Sequence, residues 1–215
     1  MNTLNIITDI NTYLKTENKS ILTDLLNALQ IEYRHEEAKK KGGNIALKRQ
    51  KIAEKILKQN KKDGMKEQFF KCWIEEIDGE KMQFFGNPYY IIALKEAFKT
   101  SAETETEAEK ITFKASKFFD KSQYELNQID FDLTEIKQYL AQFKAEQKQK
   151  PPKQRENRCV MPFGNIADRG YNAEFLIDII EALGTDAKFY QNENANGISI
   201  FEAEAGAALI CPCRL

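Results

Sequence analysis

The chain has 215 residues, with 32 Lys and Arg against 33 Asp and Glu, so its net charge is -1. That length suits one large domain or two small ones, and fourteen Phe with eight Tyr supply enough apolar material for a core, which excludes global disorder. The balance of charge excludes a protein-wide field, so any contact with nucleic acid must rest on local basic clusters. No run of about 18 apolar residues is present, so no membrane span is expected. Residues 1–13 include Asp9 and lack an apolar signal core. The four cysteines, Cys72, Cys159, Cys211 and Cys213, lack the spacing of a disulfide framework. The expectation is a cytoplasmic protein with reduced thiols.

In chain order, Ile21, Leu22, Leu25, Leu26 and Leu29 recur at three- and four-residue steps, the spacing of one helix face. Gly42-Gly43 interrupts the pattern. A second helix is expected with Ile45, Ile52, Ala53, Ile56 and Leu57 on its apolar side, stopping at Asp63-Gly64. Residues 1–64 therefore read as a helical region. From Phe69 the texture changes. Residues 69–77 and 82–85 are aromatic and β-branched, and Asp78-Gly79 between them favours a tight hairpin turn.

Asn87-Pro88 reads as a helix start, since Asn caps and Pro suits the first helical position. Tyr90, Ile91, Leu94, Ala97 and Phe98 would form its apolar face. An acidic loop at 103–109 and a strand at 111–115 follow. Asp132, with Glu135 three residues later, opens a further helix carrying Leu133, Ile136, Leu140 and Phe143. The stretch 148–155 is basic and holds two prolines, as an exposed linker would. Asn172 caps a last helix with Phe175, Leu176, Ile179, Ile180 and Leu183 on one face, and Gly184 stops it. Strands are expected at 187–190, 198–202 and 207–211, an antiparallel meander. The segments beginning at Asn87 and Asn172 align position by position, so 65–130 and 131–215 can be read as two copies of one unit. The fold class read from these elements is α/β of the α+β kind.

Catalytic signals are sparse. His35, the one histidine, stands among Arg34, Glu36 and Glu37 on a polar helical stretch. No phosphate-binding glycine loop, nucleophile elbow or His-Glu-x-x-His motif occurs. A protein without enzymatic activity or cofactor is expected, and an enzyme with its site in unrecognised sequence is the weakest alternative. Cys211-Pro-Cys213 offers one close thiol pair, with Cys72 and Cys159 as further ligands, but structural zinc sites bring two such pairs, so no metal is expected. Two basic clusters stand out. Lys48, Arg49, Lys51, Lys55 and Lys58 crowd the second helix, where they form either a phosphate-facing surface or a solvated face. Lys150, Lys153, Arg155 and Arg158 form the other.

Gly170-Tyr171-Asn172-Ala173-Glu174-Phe175-Leu176, continuing to Ala182-Leu183, resembles the last helix of the bacterial DNA polymerase III beta sliding clamp family. That family reads Gly-Phe-Asn, two variable residues, Tyr-Leu, then an aliphatic helix. Ala207-Ala208-Leu209-Ile210-Cys211-Pro212-Cys213-Arg214-Leu215 resembles the family's end, Met-Pro-Met-Arg-Leu, at a similar distance from the helix. About a fifth of the chain is covered. Cys211 and Cys213 stand where the family has Met, residues 1–64 match nothing in a clamp, and the family's middle domain is not visible.

The resemblance implies a sliding-clamp-like fold for 65–215. It also implies a processivity role in DNA replication, tethering a polymerase or other clamp-binding proteins to double-stranded DNA without reading sequence. Lys48, Arg49, Lys51, Lys55, Lys58, Lys150, Lys153, Arg155 and Arg158 would contact phosphates. Ile210, Cys211, Pro212, Cys213, Arg214 and Leu215 would line a hydrophobic pocket for partner peptides. A homo-oligomeric ring is expected, because one such chain cannot encircle DNA. Two alternatives stay open. The tail can be an edge strand packed on its own core, and the whole can be a clamp-derived interaction or regulatory module that does not encircle DNA.

Overall fold

The computed structural model describes residues 45–96, 113–166, 168–194 and 196–215. The expected first helix, Gly42-Gly43, His35 and the acidic loop at 103–109 lie outside the described residues, as does the start of the strand expected at 111–115. The chain divides into two compact units, 1–50 and 51–215. The division falls inside helix α1 (Ile45–Lys62), ahead of the boundary expected at residue 64.

The helical and antiparallel strand content of the second unit is the α+β class expected from the sequence. Seven strands form one antiparallel sheet: β1 (Trp73–Ile77), β2 (Glu80–Asn87), β3 (Tyr90–Leu94), β4 (Leu126–Ile129), β7 (Lys188–Asn192), β8 (Ser199–Ala203) and β9 (Gly206–Ile210). They lie in the order β1-β2-β3-β9-β8-β7-β4. A second antiparallel sheet has the order β10-β6-β5, from β5 (Val160–Pro162), β6 (Arg169–Asn172) and β10 (Cys213–Arg214). Two further helices complete the unit, α2 (Leu133–Gln149) and α3 (Ala173–Leu183).

The hairpin between β1 and β2 turns on Asp78 and Gly79, both at positive φ (51° and 82°), which matches the right-handed twist of the strands. Helix α3 follows directly from β6. The Asn172 carboxamide oxygen accepts the Glu174 N–H, and Gly184 at φ 124° ends the helix while its N–H reaches the Ile180 carbonyl. Helix α2 is capped by Asp132, whose carboxylate accepts the Thr134 N–H at 2.7 Å. The meander after α3 falls where the sequence put it.

Three expectations fail. The helix expected after Asn87-Pro88 is strand β3. Asn87 does accept two backbone N–H groups, from Tyr89 and Tyr90, but it does so to close the two-residue turn between β2 and β3. Strand β3 is central, flanked by β2 and β9, so apolar residues face both ways and no alternation shows. Tyr90, Ile92 and Leu94 join one apolar cluster and Ile91 and Ala93 the other. The segments starting at Asn87 and Asn172 are thus a strand and a helix, not two copies of one helix. Of the strand expected at 111–115, residues 113 and 114 are in no strand and Ala115 opens a 3-10 turn, Ala115–Phe118. The Glu75 carboxylate fixes it by accepting the Ala115 and Ser116 N–H groups at 3.0 and 2.8 Å, and the Trp73 indole N–H at 2.6 Å.

The seven-stranded sheet carries a core on each face. On one side Phe85, Phe189, Phe201 and Ala208 pack under α2, α3 and the second half of α1, through Ile136, Leu176, Ile179, Ile56 and Leu57. On the other, Trp73, Met82, Phe84 and Ile200 pack with Phe69 and Phe119. No helix among the described residues is long and apolar enough to cross a membrane.

Candidate functional site

The C-terminal tail runs from the large sheet into the small one. Ile210, fully buried, ends β9 opposite Tyr90 and Ser199 and belongs to the helix-side core. The Cys211 N–H donates to the Tyr89 carbonyl at 2.8 Å, and its Sγ lies 3.7 Å from the Pro88 carbonyl oxygen. Pro212 is half-buried. Cys213 and Arg214 then pair as β10 with Gly170 and Arg169 of β6, and the Leu215 N–H reaches the Asp168 carbonyl. Leu215 itself is 58% exposed. Of the six residues expected to form a peptide pocket, Ile210 is committed to the core, and the other five make an accessible edge.

That edge has a neighbour that the sequence did not single out. Tyr89 is 44% exposed in the β2–β3 turn, and the Arg158 guanidinium lies over its ring at 5.5 Å. Pro88, Tyr89, Arg158, Cys211 and Cys213 therefore come together at one end of β9. Tyr89 was hidden because Asn87-Pro88-Tyr89 reads as a helix start. A solvent-facing aromatic ring beside soft thiols and a guanidinium suits an apolar or aromatic anchor with polar surroundings.

The cationic residues divide differently from expectation. Lys48 is exposed and Arg49 largely buried in the part of α1 that belongs to the first unit. Lys51 and Lys58 are exposed. Lys55 is held by Asp178 of α3, with Nζ 2.8 Å from both carboxylate oxygens. In the second cluster Lys150 pairs with Glu156 at 3.0 Å. The Arg155 guanidinium donates to the Lys150 and Lys148 carbonyls at the end of α2, where a cation also complements the helix dipole. Lys153 is exposed and Arg158 leans on Tyr89. Lys51, Lys58 and Lys153 thus remain as exposed cations of the second unit aimed at solvent, while Lys55, Lys150 and Arg155 serve contacts within the fold.

Asp178 is nearly buried and also receives the Tyr90 hydroxyl at 3.3 Å, while the Tyr90 ring stacks on Phe175 with centroids 4.2 Å apart. Burial pushes the Asp178 carboxyl above its ordinary value of 3.8, and Lys55 opposes that only in part. The folded state then holds this proton more tightly than the unfolded chain. Its contribution to stability should therefore grow as pH falls through the raised value toward 3.8, and be absent above it. Asp178→Asn should erase that acid-side gain, read as the difference in melting temperature between variant and parent from pH 7 to pH 4. Parallel curves would show that burial does not control this carboxyl.

On the sheet face opposite the helices a groove of about 690 Å³ opens, lined by Met82, Phe119 and Tyr190 with Lys95, Lys121 and Glu202. Two of its three lysines are paired internally, Lys95 with Glu80 at 3.1 Å and Lys121 with Glu202 at 2.6 Å, with Lys121 also over the Tyr190 ring; the third is Lys188. No tail residue lines it. Cys72 and Cys159 are buried, and among the described residues no three His, Cys, Asp or Glu side chains form a metal-binding group.

Comparison with known proteins gives no match to a family model, to a curated protein or to a solved structure.

Proposed function

We propose that this protein is a sliding-clamp-like tether, which holds DNA through non-specific phosphate contacts and captures partner peptides at its C-terminal edge. One observation carries the reading. The two segments that resemble the clamp family, 170–183 and 207–215, are distant in sequence yet meet in the fold, with Cys213 opposite Gly170 and Arg214 opposite Arg169. The strand-helix-meander between them (β6, α3, β7, β8, β9) is a continuous unit. A peptide would be held at the edge formed by Tyr89, Cys211, Pro212, Cys213 and Leu215, and the exposed Lys51, Lys58 and Lys153 would face phosphates.

Ring formation has a structural opening. The seven-stranded sheet ends in two different strands, β1 and β4, and two unlike edges support head-to-tail contacts that close when the rotation permits. The second reading, an interaction or regulatory module that does not encircle DNA, is favoured by the use of Lys55, Lys150 and Arg155 inside the fold. Light scattering separates the two. A cyclic oligomer should give a discrete multiple of 24.8 kDa at tens of micromolar. A strictly monomeric mass would remove the ring and leave the module.

A further inference from the structure

The tail carries two thiols that the tethering role does not need as thiols. Cys211 and Cys213 are half-exposed, whereas Cys72 and Cys159 are buried at 0% and 3% exposure. Only Pro212 separates the pair. Two extended residues span at most about 7 Å between Cα atoms, and disulfides usually bridge about 4.4–6.8 Å, so a slight contraction of the tail brings the sulfurs into bonding range. The backbone here can give: β10 is two residues long and lies at the edge of its sheet. Residues two apart in an extended segment also direct their side chains to the same face. No third ligand joins them among the described residues, which favours a sulfur–sulfur bond over a closed metal site.

We propose that Cys211 and Cys213 form a reversible disulfide by exchange with a low-molecular-weight disulfide such as oxidised glutathione, while Cys72 and Cys159 stay reduced. Cys213 is the attacking thiol. Burial pushes both thiols above their ordinary value, but at Cys213, which stands at the start of α3, the Arg158 cation and the Asn172 N–H oppose that rise in part, whereas nothing opposes it at the more enclosed Cys211. The Cys213 thiolate attacks one sulfur of the oxidised glutathione, forming a mixed disulfide and expelling one glutathione thiolate, which takes up a proton. Cys211 loses its proton and attacks the Cys213 sulfur, expelling the second glutathione. Two protein thiols are oxidised to one disulfide and one small disulfide is reduced to two thiols. The ring closes across a single proline, so it is strained and readily reduced.

The inference goes beyond peptide capture and rests on the tail's geometry, so its test reads sulfur chemistry directly. The full chain is incubated with oxidised glutathione, remaining thiols are alkylated, and the C-terminal peptide is weighed. Two of the four thiols should be lost, with that peptide lighter by two hydrogens, Cys72 and Cys159 alkylated, and the change reversed by excess reduced glutathione. Cys211→Ser should trap glutathione on Cys213, whereas Cys213→Ser should take up little. Glutathione retained on the unaltered protein, chain-to-chain cross-links, or four surviving thiols would overturn the proposal. Trapping by Cys213→Ser but not by Cys211→Ser would overturn the assigned order.

Discussion

Phe189→Ala should be the most damaging single truncation in the helix-side core. Phe189 is fully buried in β7 and meets three rings, Phe201 at 4.6 Å, Phe163 at 5.0 Å and Tyr171 at 5.6 Å between centroids. Removing a buried phenyl group costs about 3–5 kcal/mol through lost transfer energy and the cavity left behind. The neighbours cannot close that cavity easily. Tyr171 is fixed by its hydroxyl on Ser199 Oγ at 2.8 Å, and Phe163 and Phe201 also pack against Phe131. In a chain of this size such a loss lowers the melting temperature by roughly 10 °C. Phe189→Leu, which keeps much of the volume, should cost markedly less. Urea midpoints of the two variants against the parent check this, and a loss below about 1 kcal/mol for Phe189→Ala would mean that the ring cluster is not the centre of the core.

The same cluster shows what the sequence could convey. Helix α3 was legible because both its ends carry chemistry, Asn172 and Gly184, and its apolar positions keep one helical spacing. The β1–β2 hairpin was legible because Asp78-Gly79 admits few other backbones. Strand β3 was not legible. Its five residues are all buried, and a run without alternation looks alike in a central strand and a buried helix. What decides the matter is β9, more than a hundred residues away, which pairs Tyr90 with Ile210 and Leu94 with Gly206. The close approach needs a glycine: a Cβ on Gly206 would sit 2.1 Å from the Ala93 carbonyl oxygen. Strand β4 escaped for the opposite reason, since an edge strand reading Leu-Asn-Gln-Ile has little apolar signal.

The candidate site was half legible. Its tail was found through the resemblance, but the pairing of β10 with β6 was not, because β6 (Arg-Gly-Tyr-Asn) has no strand signature and reads as the approach to a helix. Several of the basic residues have partners within the fold that the sequence does not reveal. Composition cannot show that Lys55 reaches Asp178 across 123 positions of sequence, or that Arg155 turns back to carbonyls at the end of its own helix. A cation's partner is a property of the fold, so a cluster in the sequence sets only an upper bound on the charge left for an outside partner.

Deleting Arg214 and Leu215 should abolish peptide binding while leaving the protein folded. In the intact chain, short peptides with aliphatic and aromatic anchors should bind with modest affinity, on the order of micromolar, as small transient interfaces do. The deletion removes the outer side of the edge, including the exposed Leu215 and the pairing of Arg214 with Arg169. The structural loss is small by comparison. Neither residue belongs to an apolar cluster, and the backbone bonds given up lie at a sheet edge, where each contributes only about 0.5–1.5 kcal/mol net. A loss near 1 kcal/mol would lower the melting temperature by roughly 2–4 °C. A tail serving only as a packed edge strand predicts that same small thermal shift with no peptide bound before or after. Isothermal titration and thermal unfolding on the same two proteins therefore distinguish the roles. Micromolar binding that disappears on truncation supports the pocket, whereas binding that survives the deletion, or is absent from the intact chain, removes the tail from the site.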